Sequence, residues 1–197
     1  MIPALVLAAG KSTRMGQTKA LLPLGGETFV SRIVRTFRAA GVEDVVFVLG
    51  HDAERVSDAL SRLNPPPRIV LNPDYQSGQL SSILAGLRAV DRPGVSAMLL
   101  TLVDVPLVSP ETVRAVLFRY RTNGAAVVRP ISGTRHGHPV LIDRQLFPQL
   151  RAADPATGAK PIVRAHASTA GDVEVNDEGA YTDIDTPAEY AAATARL

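Results

Sequence analysis

Cysteine is absent from the 197 residues, which excludes disulfides, iron–sulfur clusters, Cys-ligated zinc and thiol catalysis. Aromatic residues make up only 5% of the chain and no run of five like charges occurs, so a nucleic-acid surface is not expected. No apolar run approaches the roughly 18 residues needed to span a membrane. The opening MIPALVLAAGKSTR meets charge too early for a secretory signal, and a cytoplasmic location is expected. Lysine is the remaining scarcity. There are 3 Lys against 18 Arg, and two of those three, Lys11 and Lys19, share one glycine-containing loop. A chain so sparing of ammonium groups has a chemical reason to place them there.

What is present describes a globular protein. Apolar residues make up 46%, charged residues 20%, and the net charge is +2, which excludes a disordered chain and predicts a single domain over 1–197. Basic groups gather in residues 1–40 and acids in 171–197. Pro3–Leu7, Val45–Leu49, Ile69–Leu71 and Ala97–Val103 read as short, continuously apolar strands, the last the most central. Between them, apolar residues at three- and four-residue spacing predict helices. These lie after Phe29, closed by Gly41; around Val56–Leu63; over Leu80–Val90; and after the Ser109–Pro110 start. Strands are expected again at Ala125–Arg129 and Pro139–Ile142, and a last helix at Pro187–Ala195. The alternation predicts an α/β fold, a doubly wound and mostly parallel sheet of the Rossmann-like kind.

The loop after the first strand carries the chemistry. Leu7-Ala8-Ala9-Gly10-Lys11-Ser12-Thr13-Arg14 exposes backbone N–H groups that can cradle a polyphosphate, with Arg14 and Lys19 to neutralise it. It is not GxGxxG, because Ser12 stands where the second glycine belongs. Nor is it a P-loop, which needs Gly and Lys at positions 15 and 16, where Met15 and Gly16 stand. Asp104 ends the most apolar strand, where open α/β sheets bind ligands, and suits Mg²⁺. Gly78–Ser82 precedes a helix and offers N–H groups and the Ser81 and Ser82 hydroxyls to a nucleobase edge; helix capping is the alternative. Asn72, ending the third strand, is a candidate contact to base or ribose, or simply part of an Asn-Pro turn. His136 and His138 are two residues apart, but no third zinc ligand lies near.

LAAGKSTRMGQTKALLPLGGETFV resembles the signature of the GT-A-like nucleotidyltransferases, and within them the molybdenum cofactor nucleotidylyltransferases. The likeness continues in order through Gly78-Gln79-Leu80-Ser81-Ser82, Asp104-Val105-Pro106, Gly137-His138-Pro139 and Asp183-Ile184-Asp185-Thr186-Pro187. It implies a GT-A-type fold and transfer of CMP from CTP to molybdenum-bound molybdopterin, with release of pyrophosphate. It also implies Mg²⁺ held by Asp104 and by Asp185 or Asp183, a nucleotide bound by residues 7–12, Lys19, Asn72, Gly78, Ser81 and Ser82, and His138 on the acceptor side. Lys11 and Ser12 would share the triphosphate with Arg14 and Lys19. The resemblance also implies a molybdenum hydroxylase apoenzyme as recipient of the product. Ala9, where guanylyl-transferring relatives are expected to have Gly, points to CTP over GTP. The alternatives are guanylyl transfer, another phosphorylated acceptor, or a non-catalytic nucleotide-binding delivery protein.

Overall fold

In the computed structural model, which describes residues 1–196, β1 (Ala4–Ala8) is hydrogen-bonded in parallel to β4 (Val45–Leu49) on one side and to β6 (Ala97–Leu102) on the other. β5 (Arg68–Leu71) extends the parallel half beyond β4. On the far side of β6 comes β9 (Val140–Asp143), antiparallel, then β7 (Val127–Ser132) and β10 (Asp172–Glu174). β8 (Arg135–His136) folds back on β7 as a hairpin. A separate two-stranded hairpin, β2 (Pro23–Leu24) and β3 (Glu27–Thr28), follows the signature loop.

The unbroken apolarity of β1, β4 and β6 reflects burial on both faces. Ala4, Val6 and Ala8 of β1 point into one core, closed by α1 (Phe29–Ala39), α2 (Ala53–Ser61), α4 (Pro110–Asn123) and α7 (Pro187–Thr194). Leu5 and Leu7 point into a second core, beneath α3 (Gln79–Val90), α5 (Phe147–Arg151) and α6 (Lys160–His166). The sheet is thus wound on both sides. Helix starts follow local chemistry. Thr28 and Ser31 form a capping box for α1, Ser109 caps α4 ahead of Pro110, and Thr186 and Glu189 box the start of α7.

The structure shifts two expected strands: Ala125–Arg129 is realised as β7 at Val127–Ser132, and Pro139–Ile142 as β9. β9 is inserted between β6 and β7, so the sheet is parallel on one side of β6 and mixed on the other. The second helix stops at Ser61, short of Leu63. Short elements with no periodicity to announce them (β2, β3, β8, β10, α5 and α6) complete the chain.

Gly86, on the inner face of α3, sets how closely that helix lies on β1. A Cβ there would fall 2.3 Å from Cδ1 of Leu5, a fully buried side chain. Overpacking of about 1–3 kcal/mol should outweigh the ~1 kcal/mol that alanine gains over glycine inside a helix. Gly86→Ala is therefore expected to lower the urea midpoint, whereas in a Leu5→Ala background the same substitution should be neutral or stabilising. A higher midpoint for Gly86→Ala alone would show that the helix can move away from the sheet.

Candidate active site

Both β1 and β6 end at one edge of the sheet, and the segments that follow them face each other across a cleft of about 330 Å³. Leu7, Ala9, Gly10, Ser12, Thr13 and Arg14 form one wall; Leu102, Val103 and Asp104 form the floor. The signature loop is folded on itself: the Ser12 carbonyl accepts from the backbone N–H of Met15 at 3.0 Å and of Gly16 at 3.1 Å, and Ser12 adopts φ +51°. The Lys19 N–H donates to Ser12 Oγ at 3.3 Å, which aims the Lys19 side chain inward. The far wall is the amino-terminal end of α3, with Gly78, Gln79 and Ser82. No side chain caps that helix and no acid stands in its first turn, so its free N–H groups open toward the cleft.

The carboxylates come from opposite ends of the sequence. Asp104 follows β6, and its carbonyl accepts from the Ile184 N–H at 2.8 Å, which lays the Asp183–Asp185 segment beside it. Ile184 is fully buried and anchors that segment. Asp185 Oδ1 and Asp104 Oδ2 then converge on the Lys19 ammonium, at 2.5 and 2.9 Å. Arg14 donates to the other Asp185 oxygen at 2.6 Å from an exposed position. Burial works against the Lys19 ammonium, yet its hydrogen bond to Asp185 and the charge of Asp104 hold its pKa above the ordinary lysine value. The Lys19 hydrogen bond holds Asp185 below the usual carboxylate range. Asp183 moves the other way, raised by desolvation and by the negative charge of Asp104.

Two hard oxygen donors meeting at one point, on carboxylates flanked by open cleft, suit a divalent ion that takes its remaining ligands from substrate and water. Asp104 Oδ1 strengthens the fit, being a buried carboxylate oxygen with no hydrogen-bond partner.

Of the residues expected at the nucleotide, Leu7, Ala9, Gly10, Ser12, Lys19, Gly78 and Ser82 line this cleft, together with Arg14, Asp104 and Asp185. Five expected residues lie elsewhere. Ala8 turns its side chain into the first core. Lys11 belongs to a neighbouring depression behind the loop, with His51, Asp52 and Arg55. Asn72 is buried and donates to Ser81 Oγ at 2.9 Å and Ser82 Oγ at 3.0 Å. Ser81 Oγ in turn donates to the Asp74 and Gly78 carbonyls, so this pair ties the end of β5 to the start of α3. His138, just before β9, has its Nδ1 3.3 Å from the Leu100 carbonyl; burial pushes its pKa below the ordinary histidine value. Gly137 precedes it because a Cβ there would lie 2.5 Å from the Ala180 carbonyl. His136 is exposed on β8 and pairs with nothing that would make a zinc site; no group of three or more metal-ligating side chains occurs among the described residues. Tyr75 lines the cleft without having been singled out from sequence, and Thr13 and Gln79 line it as members of the signature loop and the Gly78–Ser82 segment. Tyr75 had one signal, an aromatic in a chain that has few.

Residues 4–170 match the family described as MobA-like NTP transferase domain. Nicotine blue oxidoreductase of Paenarthrobacter nicotinovorans is 34% identical over 193 residues, covering 94% of this chain and 92% of that protein. Among solved structures, Rv0371c of Mycobacterium tuberculosis superposes with TM-score 0.83 at 28% identity, covering 98% of this chain and 97% of that one. Another structure of Rv0371c is a complex with manganese, at TM-score 0.76 and 27% identity, covering 100% and 99% of the two chains. A nucleotidyl transferase from Methanothermobacter superposes with TM-score 0.81 at 27% identity, covering 100% and 97% of the two chains. The match over residues 4–170 and the relative that is 34% identical along nearly the whole chain show that the chain belongs to the MobA-like NTP transferase family.

Proposed function

We propose that this protein transfers CMP from CTP to the phosphate of molybdenum-bound molybdopterin, releasing pyrophosphate and forming the cytosine dinucleotide form of the cofactor. The observation that carries the proposal is the convergence of the signature loop, Lys19 and the Asp104–Asp185 pair on one cleft. The acceptor phosphate brings its own nucleophilic oxygen. It bonds to the α-phosphorus while the bond between that phosphorus and the bridging oxygen breaks, and pyrophosphate leaves with the electron pair. No protein nucleophile is called for, so the chain's task is positioning and charge neutralisation.

Each side chain then has a part. The Ala9–Thr13 backbone and the amino-terminal end of α3 orient the nucleotide from opposite walls. Arg14 and Lys19 offset the charge that grows on the departing pyrophosphate. Asp104 and Asp185 would hold Mg²⁺, which when bound lowers the repulsion between the phosphoryl oxygens and the incoming acceptor. His138, just before β9, would meet the acceptor. The product would pass to a molybdenum hydroxylase apoenzyme.

The direct test is pyrophosphate release over four nucleotides, with and without molybdenum cofactor; release that needs both CTP and the cofactor is expected. The relative with an oxidoreductase name supports a second reading, so a parallel arm follows the absorbance of reduced nicotinamide. Hydride transfer without pyrophosphate release would replace the transferase reading.

Variants sharpen it. Asp104→Asn should abolish turnover at limiting Mg²⁺ with the fold intact by circular dichroism, and Asp185→Asn should be milder, since a neutral oxygen still ligates. Lys19→Ala should cost about 10²–10³-fold in turnover, the scale of one preorganised charge-stabilising group. Ala9 is nearly buried in the cleft wall, its carbonyl accepting from the His51 N–H at 3.1 Å. Its methyl occupies space that a two-ring base would need. A methyl in a tight pocket discriminates by roughly 10–200-fold, so the native protein should prefer CTP in direct competition. Ala9→Gly should relax that preference toward GTP without inverting it. A native preference for GTP would overturn the cytidylyl assignment alone.

A further inference from the structure

The Lys19 ammonium sits where a small cation would sit. It is the only ion-pair partner of Asp104 among the described residues, and it shares Asp185 with Arg14. Lys19 is only 8% exposed. Two carboxylates brought this close repel each other unless a cation lies between them. A divalent ion placed between the two carboxylates would take the position that the Lys19 ammonium holds between Asp104 Oδ2 and Asp185 Oδ1, with the unpartnered Asp104 Oδ1 as a further ligand oxygen.

We propose that Lys19 is a built-in stand-in for the metal. It holds the carboxylates together before substrate arrives, bars metal from the nucleotide-free protein, and yields its place only when nucleotide phosphate accepts its charge. This rests on the reading of Asp104 and Asp185 as the metal-holding pair. Competition for that position raises the apparent dissociation constant of the metal, which becomes its intrinsic value divided by the fraction of molecules in which Lys19 is disengaged. A triphosphate in the cleft removes that handicap by drawing the ammonium away. Nucleotide and metal therefore bind together, each easing entry of the other by the same factor. The side-chain type fits. An ammonium has three N–H donors, of which the carboxylates take two, leaving one as a first foothold for phosphate. A guanidinium would lock onto a carboxylate with a planar fork, whereas lysine is a point charge on a flexible stem. In a chain with 18 Arg and 3 Lys, that distinction gives this position its reason to be Lys.

The test is titration of nucleotide-free protein with Mn²⁺, followed by loss of the free-ion electron paramagnetic resonance signal. Wild type is compared with Lys19→Met, Lys19→Gln, Lys11→Met, Asp104→Asn and the Lys19→Met/Asp104→Asn double variant. Lys19→Met keeps the length and removes the charge; Lys19→Gln keeps a hydrogen-bond donor and serves if the first variant folds poorly. Lys11→Met removes a charge from the same loop without touching either carboxylate, and so controls for long-range electrostatics. We expect Lys19→Met or Lys19→Gln to bind Mn²⁺ about tenfold tighter than wild type or more, within the usual range of coupling between sites. Lys11→Met should show no such gain, and adding Asp104→Asn should erase it. A gain in Lys11→Met as large as in the Lys19 variants overturns the proposal. Equal affinities in wild type and the Lys19 variants, with Asp104→Asn weakening binding in both backgrounds, overturn the stand-in role and leave the paired-carboxylate reading intact. Equal affinities that Asp104→Asn does not alter overturn both.

Discussion

One ammonium between two carboxylates organises this molecule's working edge. Lys19 reaches Asp104 across 85 positions of sequence and Asp185 across 166, so three distant parts of the chain must be in place before the contact exists. The sheet meets that demand. Parallel pairing of β1 with β6 brings the signature loop and Asp104 to the same edge, and the Ile184 N–H on the Asp104 carbonyl brings Asp185 alongside. Charge concentrated this way in a half-enclosed cleft is under little screening from water, which is the condition for electrostatic control of phosphoryl transfer. The cleft wall made by α3 adds the positive end of a helix with no acid in its first turn.

The parallel half of the fold was legible because each of its parts advertises itself locally. Strands buried on both faces must be continuously apolar, and PALVL, VVFVL and AMLLTLV read as nothing else. Helix starts at Ser109-Pro110 and Thr186-Pro187 carry their own capping chemistry. The second half was blurred because β9 and β10 are short and the antiparallel insertion of β9 beside β6 is a matter of pairing, not of pattern. Pairing is decided by the whole sheet, and a window of sequence carries no trace of it.

The site divides along the same line. Residue types matched to chemistry, such as Asp104, Lys19, Arg14 and the small residues of the loop, stood out by position and composition. What the sequence could not show is the direction in which a side chain leaves the backbone. Lys11 and Lys19 look alike in one loop, yet Lys11 lines the depression behind it with His51, Asp52 and Arg55, and Lys19 reaches the carboxylates. Asn72 and Ser81 are polar residues beside the cleft that spend their hydrogen bonds on each other and on the backbone, holding the α3 end in position. Tyr75 and Gln79 reach the cleft only because β5 and α3 meet at its far wall.

The carboxyl-terminal segment shapes more than the geometry. Ala180 and Ile184 are buried, the His138 N–H donates to the Ala180 carbonyl, and Asp177 accepts from the Ser109 N–H and the Thr112 hydroxyl. Residues 177–185 thus lie as a strap across the ends of β6 and β9, and they supply the second carboxylate. A chain emerging from the ribosome can pair β1, β4, β5 and β6 long before that strap exists. Until residue 185 has been made, Lys19 has one carboxylate in place of two. The nascent protein can therefore build the sheet well ahead of its chemistry, because the segment that completes the site is made after the strands that receive it.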